Sequence, residues 1–110
     1  MRDKTVYIAG KITGLDDFQT RFAEAETHLR SLGAEKIINP CCMSNSNLTH
    51  EQYMQICYAM IDVSDCVYVL NNWEESDGAT REYLYAVSKC KEIIWQKENV
   101  CTESNSNPTE

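Results

Sequence analysis

Apolar positions along the chain alternate between short continuous runs and longer stretches with helical spacing. Residues 5–9 (TVYIA) are a β-prone run closed by Gly10, which predicts a buried parallel strand. A loop with glycines at both ends, Gly10 and Gly14, follows. Beyond it Phe18, Phe22, Ala25, Leu29 and Leu32 recur at steps of 4, 3, 4 and 3, one face of an α-helix. Asp16 or Asp17 can cap that helix and Gly33 stops it. Residues 36–38 predict a second strand, ended by Asn39-Pro40, and residues 41–48 read as a loop. Thr49-x-x-Gln52 has the form of a capping box and opens a helix with Tyr53, Met54, Cys57, Met60 and Ile61 on its inner side. Residues 66–70 form a third strand and residues 71–77 a polar loop carrying Trp73. A third helix starts near Gly78 with Ala79, Tyr83, Ala86, Val87 and Cys90 inward, and residues 92–95 make a fourth strand.

Single helices between strands imply right-handed βαβ crossovers. The fold class is therefore α/β: a small Rossmann- or flavodoxin-like three-layer domain with a four- or five-stranded parallel sheet, spanning residues 1–97. Residues 98–110 are polar, acidic and low in complexity, and are expected to be a disordered tail. Ligands of such folds bind beyond the carboxyl ends of the strands, at the switch in strand order. Residues 10–14, 39–42 and 71–78 are thus expected to line one crevice.

Charge and cysteine content narrow the partners. Ten basic against seventeen acidic residues leave a net charge of −7, which argues against a duplex nucleic-acid binder needing a basic face. A small phosphorylated ligand remains compatible, because backbone N–H groups hold phosphate whatever the global charge. The apolar runs are too short to span a membrane, and Met1-Arg2-Asp3-Lys4 leads straight into a strand rather than a signal peptide. The six cysteines include no C-x-x-C, and His28 and His50 lie far from any cysteine pair, so no metal or other cofactor is expected. Cys57, Cys66 and Cys90 fall in apolar stretches as small hydrophobes, which suits a reduced, cytoplasmic protein.

Two segments carry candidate chemistry. In Gly10-Lys11-Ile12-Thr13-Gly14 the glycines permit close backbone approach, while Lys11 and Thr13 add a cation and a hydroxyl for an anion. It is neither a dinucleotide fingerprint nor a P-loop. In the second segment, residues 76–82 (SDGATRE), Ser76 and Asp77 can cap a helix or meet a ligand, and Gly78 lets a ligand approach the helix start. Glu82 lies about one turn in, beside the buried stripe; it is either aimed at the crevice or a surface glutamate paired with Arg81 or Lys89. Asp65, Asp77 and Asp62 are candidate proton donors or solvated caps, and Trp73 either stacks on a base or packs on its own domain.

The succession VYIAGKITG, INP, SDCVYVL and NWEESDGATREYLYA resembles the nucleoside 2-deoxyribosyltransferase superfamily over about residues 4–95. It is most similar to small stand-alone members, many encoded by bacteria and phages. The superfamily also holds the 2′-deoxynucleoside 5′-monophosphate N-glycosidases. By resemblance Glu82 is the nucleophile, Tyr7 holds its carboxylate, Gly10 and Gly14 belong to the substrate loop, and Ser76 sits where the hydrolases bind phosphate. Ile12 and Asn39 fall within the segments expected to meet substrate. The sequence departs from the pattern at Cys57, which replaces the catalytic aspartate eight residues before Asp65, and at Lys11, which replaces a serine.

The resemblance implies a nucleotide-binding protein that hydrolyses the N-glycosidic bond of (deoxy)nucleoside 5′-monophosphates. A catalytically inactive sensor or sequestering protein, and a deoxyribosyltransferase, are the alternatives. Relatives complete the pocket with a neighbouring subunit, so a homodimer or larger homo-oligomer is expected, with Tyr53, Met54, Tyr58 and Met60 either at the interface or in the ordinary core.

Overall fold

A computed structural model describes residues 3–12, 17–43 and 47–96. Thr13, Gly14, the Asp16 cap and the 98–110 tail lie outside the described residues. Four strands form an all-parallel sheet: β1 (Thr5–Ala9), β2 (Lys36–Ile38), β3 (Cys66–Val69) and β4 (Glu92–Trp95), in the order β2-β1-β3-β4. Three helices connect them: α1 (Phe18–Ser31), α2 (His50–Asp62) and α3 (Asp77–Ser88).

Alternation along β1 builds the three layers. Val6 and Ile8 point to one face, where Phe22, Ala25 and Leu29 of α1 cover them. Tyr7 and Ala9 point to the other, against Cys57 and Ile61 of α2 and Ala86 of α3. In β3, Cys66 and Tyr68 join the first cluster, Val67 and Val69 the second. A parallel strand covered on both faces must be apolar at every position, which is why β1 and β3 read as continuous runs. In register, Tyr7 lies between Ile38 of β2 and Val67 of β3.

The helix ends follow local chemistry. At the end of α1, Gly33 adopts φ 101°, and Ala34 N–H donates to Leu29 C=O while Gly33 N–H donates to Arg30 C=O, both at 3.0 Å. This is a Schellman motif. Thr49 and Gln52 close the capping box of α2 reciprocally, at 3.1 and 2.9 Å.

Several expectations are corrected. Leu32 is the C-cap of α1, past its last turn, and is 52% exposed, while Phe18 is half-buried. The 41–48 loop begins as a short 3₁₀ turn, Pro40–Met43. The inward face of α3 is Ala79, Glu82 and Ala86. Val87 falls outside that stripe and is exposed, and Cys90 lies beyond the helix at φ 61°, where the chain turns into β4. Of the helix 2 residues expected at an interface, Met54 is core and Tyr53 and Met60 pack against it. Tyr58 stacks on Tyr85 at 4.4 Å.

A side chain at Gly33 would meet no neighbour, so the cost of adding one is purely that of the left-handed backbone. Gly33→Ala is expected to destabilise the fold by about 1 kcal/mol, lowering Tm by about 4–8 °C in thermal denaturation.

Candidate active-site cleft

The carboxyl ends of β1 and β3 part at the switch in strand order, because β1 leads to a helix on one face and β3 to a helix on the other. A cleft of about 500 Å³ opens there, the size of a small-molecule site. Gly10, Lys11 and Ile12 enter it from β1, Pro40 from β2, and residues 75–79 from the β3 side, with Glu82 deeper on α3. At Gly10 a Cβ would come within 2.5 Å of Leu70 Cδ1, so only glycine lets the two strand ends approach this closely.

Glu82 is the charged side chain of the core. It is 4% exposed, and the Tyr7 hydroxyl donates to its Oε2 at 2.8 Å. Burial pushes the Glu82 carboxyl up to about 7, against the downward pull of hydrogen bonds from Tyr7 and the Cys57 thiol. The same surroundings raise the partners. Burial, and then the charge of Glu82, lifts the Cys57 thiol to about 12 and Tyr7 well above the ordinary phenol range. Cys57 therefore stays protonated and neutral at physiological pH.

The rim is mixed in charge. Ser76 caps α3, its Oγ accepting from Ala79 N–H at 3.1 Å. Lys11 donates its backbone N–H to Asn72 Oδ1 at 3.2 Å, and its Nζ lies 3.6 Å from Glu75. Asp77 is paired with Arg81 at 3.0 Å and stands 4.0 Å from His50. Among the described residues no three His, Cys, Asp or Glu side chains gather as a metal site, and no helix is long and apolar enough to cross a membrane.

Residues 4–95 match the family described as a domain of unknown function, DUF4406. The chain belongs to that family. A search of curated proteins finds no match.

In this DUF4406 domain the cleft brings together Glu82, Gly10, Lys11, Ile12, Ser76, Asp77 and Gly78, with Tyr7 beneath Glu82. The surface-glutamate reading of Glu82 is overturned, since Arg81 instead pairs with Glu51 and Asp77, and Lys89 lies over the Tyr85 ring. Four expected residues stand elsewhere. Asp65 precedes β3, at the opposite end of the sheet, where its carboxylate accepts from Thr5 N–H at 2.8 Å. Asp62, at the far end of α2, accepts from the Tyr85 hydroxyl. Asn39 does not line the cleft; its side chain donates to Glu26 of α1 and accepts from Cys41 N–H. Trp73 packs with Tyr83 and Trp95 at 5.0 and 5.6 Å and does not line the cleft.

That the start of α2 lines the cleft was missed. Leu48, Thr49, His50, Tyr53 and Met54 form a wall of the cleft. The signal was present: α2 follows β2 in a βα unit, so its N-terminus lies at the same end of the sheet as the other loops.

Burial of Glu82 has a thermodynamic signature. Its folded pKa, about 7, lies above its ordinary 4.5, so the folded state binds the proton more tightly. Stability from this group is fully present below about pH 4.5 and is lost as pH rises through about 7, by about 3 kcal/mol. Glu82→Gln lacks that loss. Chemical denaturation from pH 4.5 to 8.5 is expected to show the variant gaining on wild type by about this amount; parallel curves would refute it.

Proposed function

We propose that this protein binds a nucleoside or nucleotide in the cleft and hydrolyses the N-glycosidic bond of (deoxy)nucleoside 5′-monophosphates, in the manner of the superfamily its sequence resembles. The observation that carries this reading is a buried carboxylate, Glu82, held by a tyrosine hydroxyl at 2.8 Å in a ligand-sized cleft at the strand switch. A strongly perturbed acid in a cleft is a functional-site signature.

In this mechanism the Glu82 carboxylate attacks C1′ of the sugar as the C1′–N bond breaks. The bonding pair leaves with the base, which takes up a proton from water. A second water then hydrolyses the glycosyl ester and frees Glu82, as in retaining glycosidases. Tyr7 fixes one carboxylate oxygen and orients the other. The mixed rim, with Lys11 and His50 beside Glu75 and Asp77, is where the rest of the ligand would lie.

Cys57 favours a second reading, a nucleotide-binding sensor or sequestering protein. A thiol held protonated to about pH 12 supplies no acid–base partner for Glu82. Transfer of the sugar to another base, in place of water, is the third outcome of the same intermediate. The buried thiols Cys57 and Cys66 suit a reducing cytoplasm.

Chromatography of a panel of nucleosides and 5′-monophosphates tests the hydrolase reading. Wild type is expected to release free base, with kcat/KM rising as pH passes through about 7, because Glu82 must be ionised. Glu82→Gln is expected to lose ~10³-fold or more in rate while still binding substrate. Binding without base release would select the sensor reading.

A homodimer belongs to this proposal. Leu84 and Val87 share one face of α3 and are 58% and 48% exposed, an apolar surface in search of cover. Light scattering at micromolar concentration is expected to give about twice the 12.6 kDa chain mass; a monomer alone would remove the dimer.

A further inference from the structure

Among the described residues, the buried side-chain oxygen that finds no hydrogen-bond partner is the Tyr53 hydroxyl. Its neighbours explain why. Tyr53 stands on α2 one turn before Cys57, so both share a helix face, and that face meets Glu82 of α3. The Cys57 thiol lies near enough to shift the titration of the hydroxyl, but nothing meets the hydroxyl in hydrogen-bond geometry, and Oε2 of Glu82 is taken by Tyr7. A buried hydroxyl without a partner carries an uncompensated desolvation cost. Such a group inside a cleft wall marks a place where a partner arrives from outside.

We propose that the Tyr53 hydroxyl donates a hydrogen bond to an acceptor atom of the ligand bound beside Glu82. Burial, reinforced by the negative charge of its neighbours, raises its pKa, so it remains a protonated donor throughout the physiological range. Because a second anion beside the Glu82 carboxylate would be repelled, the acceptor is an uncharged oxygen or ring nitrogen, of the kind a nucleobase or sugar presents. Reaching it needs only the side-chain adjustments common on binding. The choice of ligand class rests on the nucleotide reading of the cleft; the donor role does not rest on hydrolysis.

Tyr53→Phe removes the oxygen and keeps the ring. Wild type and variant are titrated calorimetrically with the four 2′-deoxynucleoside 5′-monophosphates and their parent nucleosides, and their melting temperatures are measured without ligand. The variant is expected to melt no lower than wild type, because it loses only an unpaired group, and to bind about 10-fold or more weakly. Unchanged affinity would overturn the proposal, as would a lower melting temperature, which would make the hydroxyl a support of the fold. Weakened binding by a protein that releases no base retires the hydrolase and keeps the donor. Base release unaffected by the substitution does the reverse. Failure of wild type to bind any of these probes overturns the ligand role of Tyr53.

Discussion

A carboxylate placed between a sheet and two helices is the constraint around which this domain is arranged. Glu82 projects from the inward stripe of α3 onto the sheet face that carries Tyr7, in the strand between β2 and β3. Left alone, such a group would be expelled to solvent or would hold its proton to avoid the large cost of burying a charge. The Tyr7 hydroxyl supplies the donor that makes the arrangement tolerable, a bond worth about 1.5–3 kcal/mol when the acceptor is charged. That bond also sets the rotation of α3. With Glu82 facing β1, the helix start must face the strand switch, and Ser76, Asp77 and Gly78 come to the cleft as a consequence.

The same constraint separates what the sequence made legible from what it hid. The two central strands were plain because parallel strands covered on both faces must be apolar throughout; residues 5–9, 36–38 and 92–95 have the bounds expected of them, and the third strand ends one residue early, at Val69. The α2 start was legible because a capping box is a local device needing no tertiary partner. The phase of α3 was legible only in part. Hydrophobic periodicity assigns inward positions by apolarity, and beside Ala79, Tyr83 and Ala86, which do pack inward, it places Val87 and Cys90 inside. The helix instead turns on a buried acid, whose compensating hydroxyl lies 75 residues away in the chain.

The candidate site divides along the same line. Residues following a strand's carboxyl end reach the cleft by topology alone, so Gly10, Lys11, Ile12 and residues 76–78 could be read from strand order. Asp65 could not be placed by that rule, since it precedes its strand and stands at the far end of the sheet, tying β1 to the entry of β3. Asn39 follows its strand yet its side chain closes its own turn, a local competition that spacing does not reveal. Trp73 has two aromatic neighbours from α3 and β4 within reach, and large aromatic faces pack on one another when they can.

That aromatic cluster has an optical consequence. Both tryptophans of the chain, Trp73 and Trp95, lie in it, with their ring centroids 5.6 Å apart and Tyr83 against each. Intrinsic fluorescence excited at the indole band therefore comes entirely from one side of the molecule, where β3 exits, β4 ends and α3 passes. It registers any separation of that trio and is blind to α1 and β2. A melting curve followed by fluorescence thus samples this flank alone, whereas helical circular dichroism sums all three helices. Their coincidence or divergence measures whether the two flanks of the β1–β3 pair unfold as one cooperative unit.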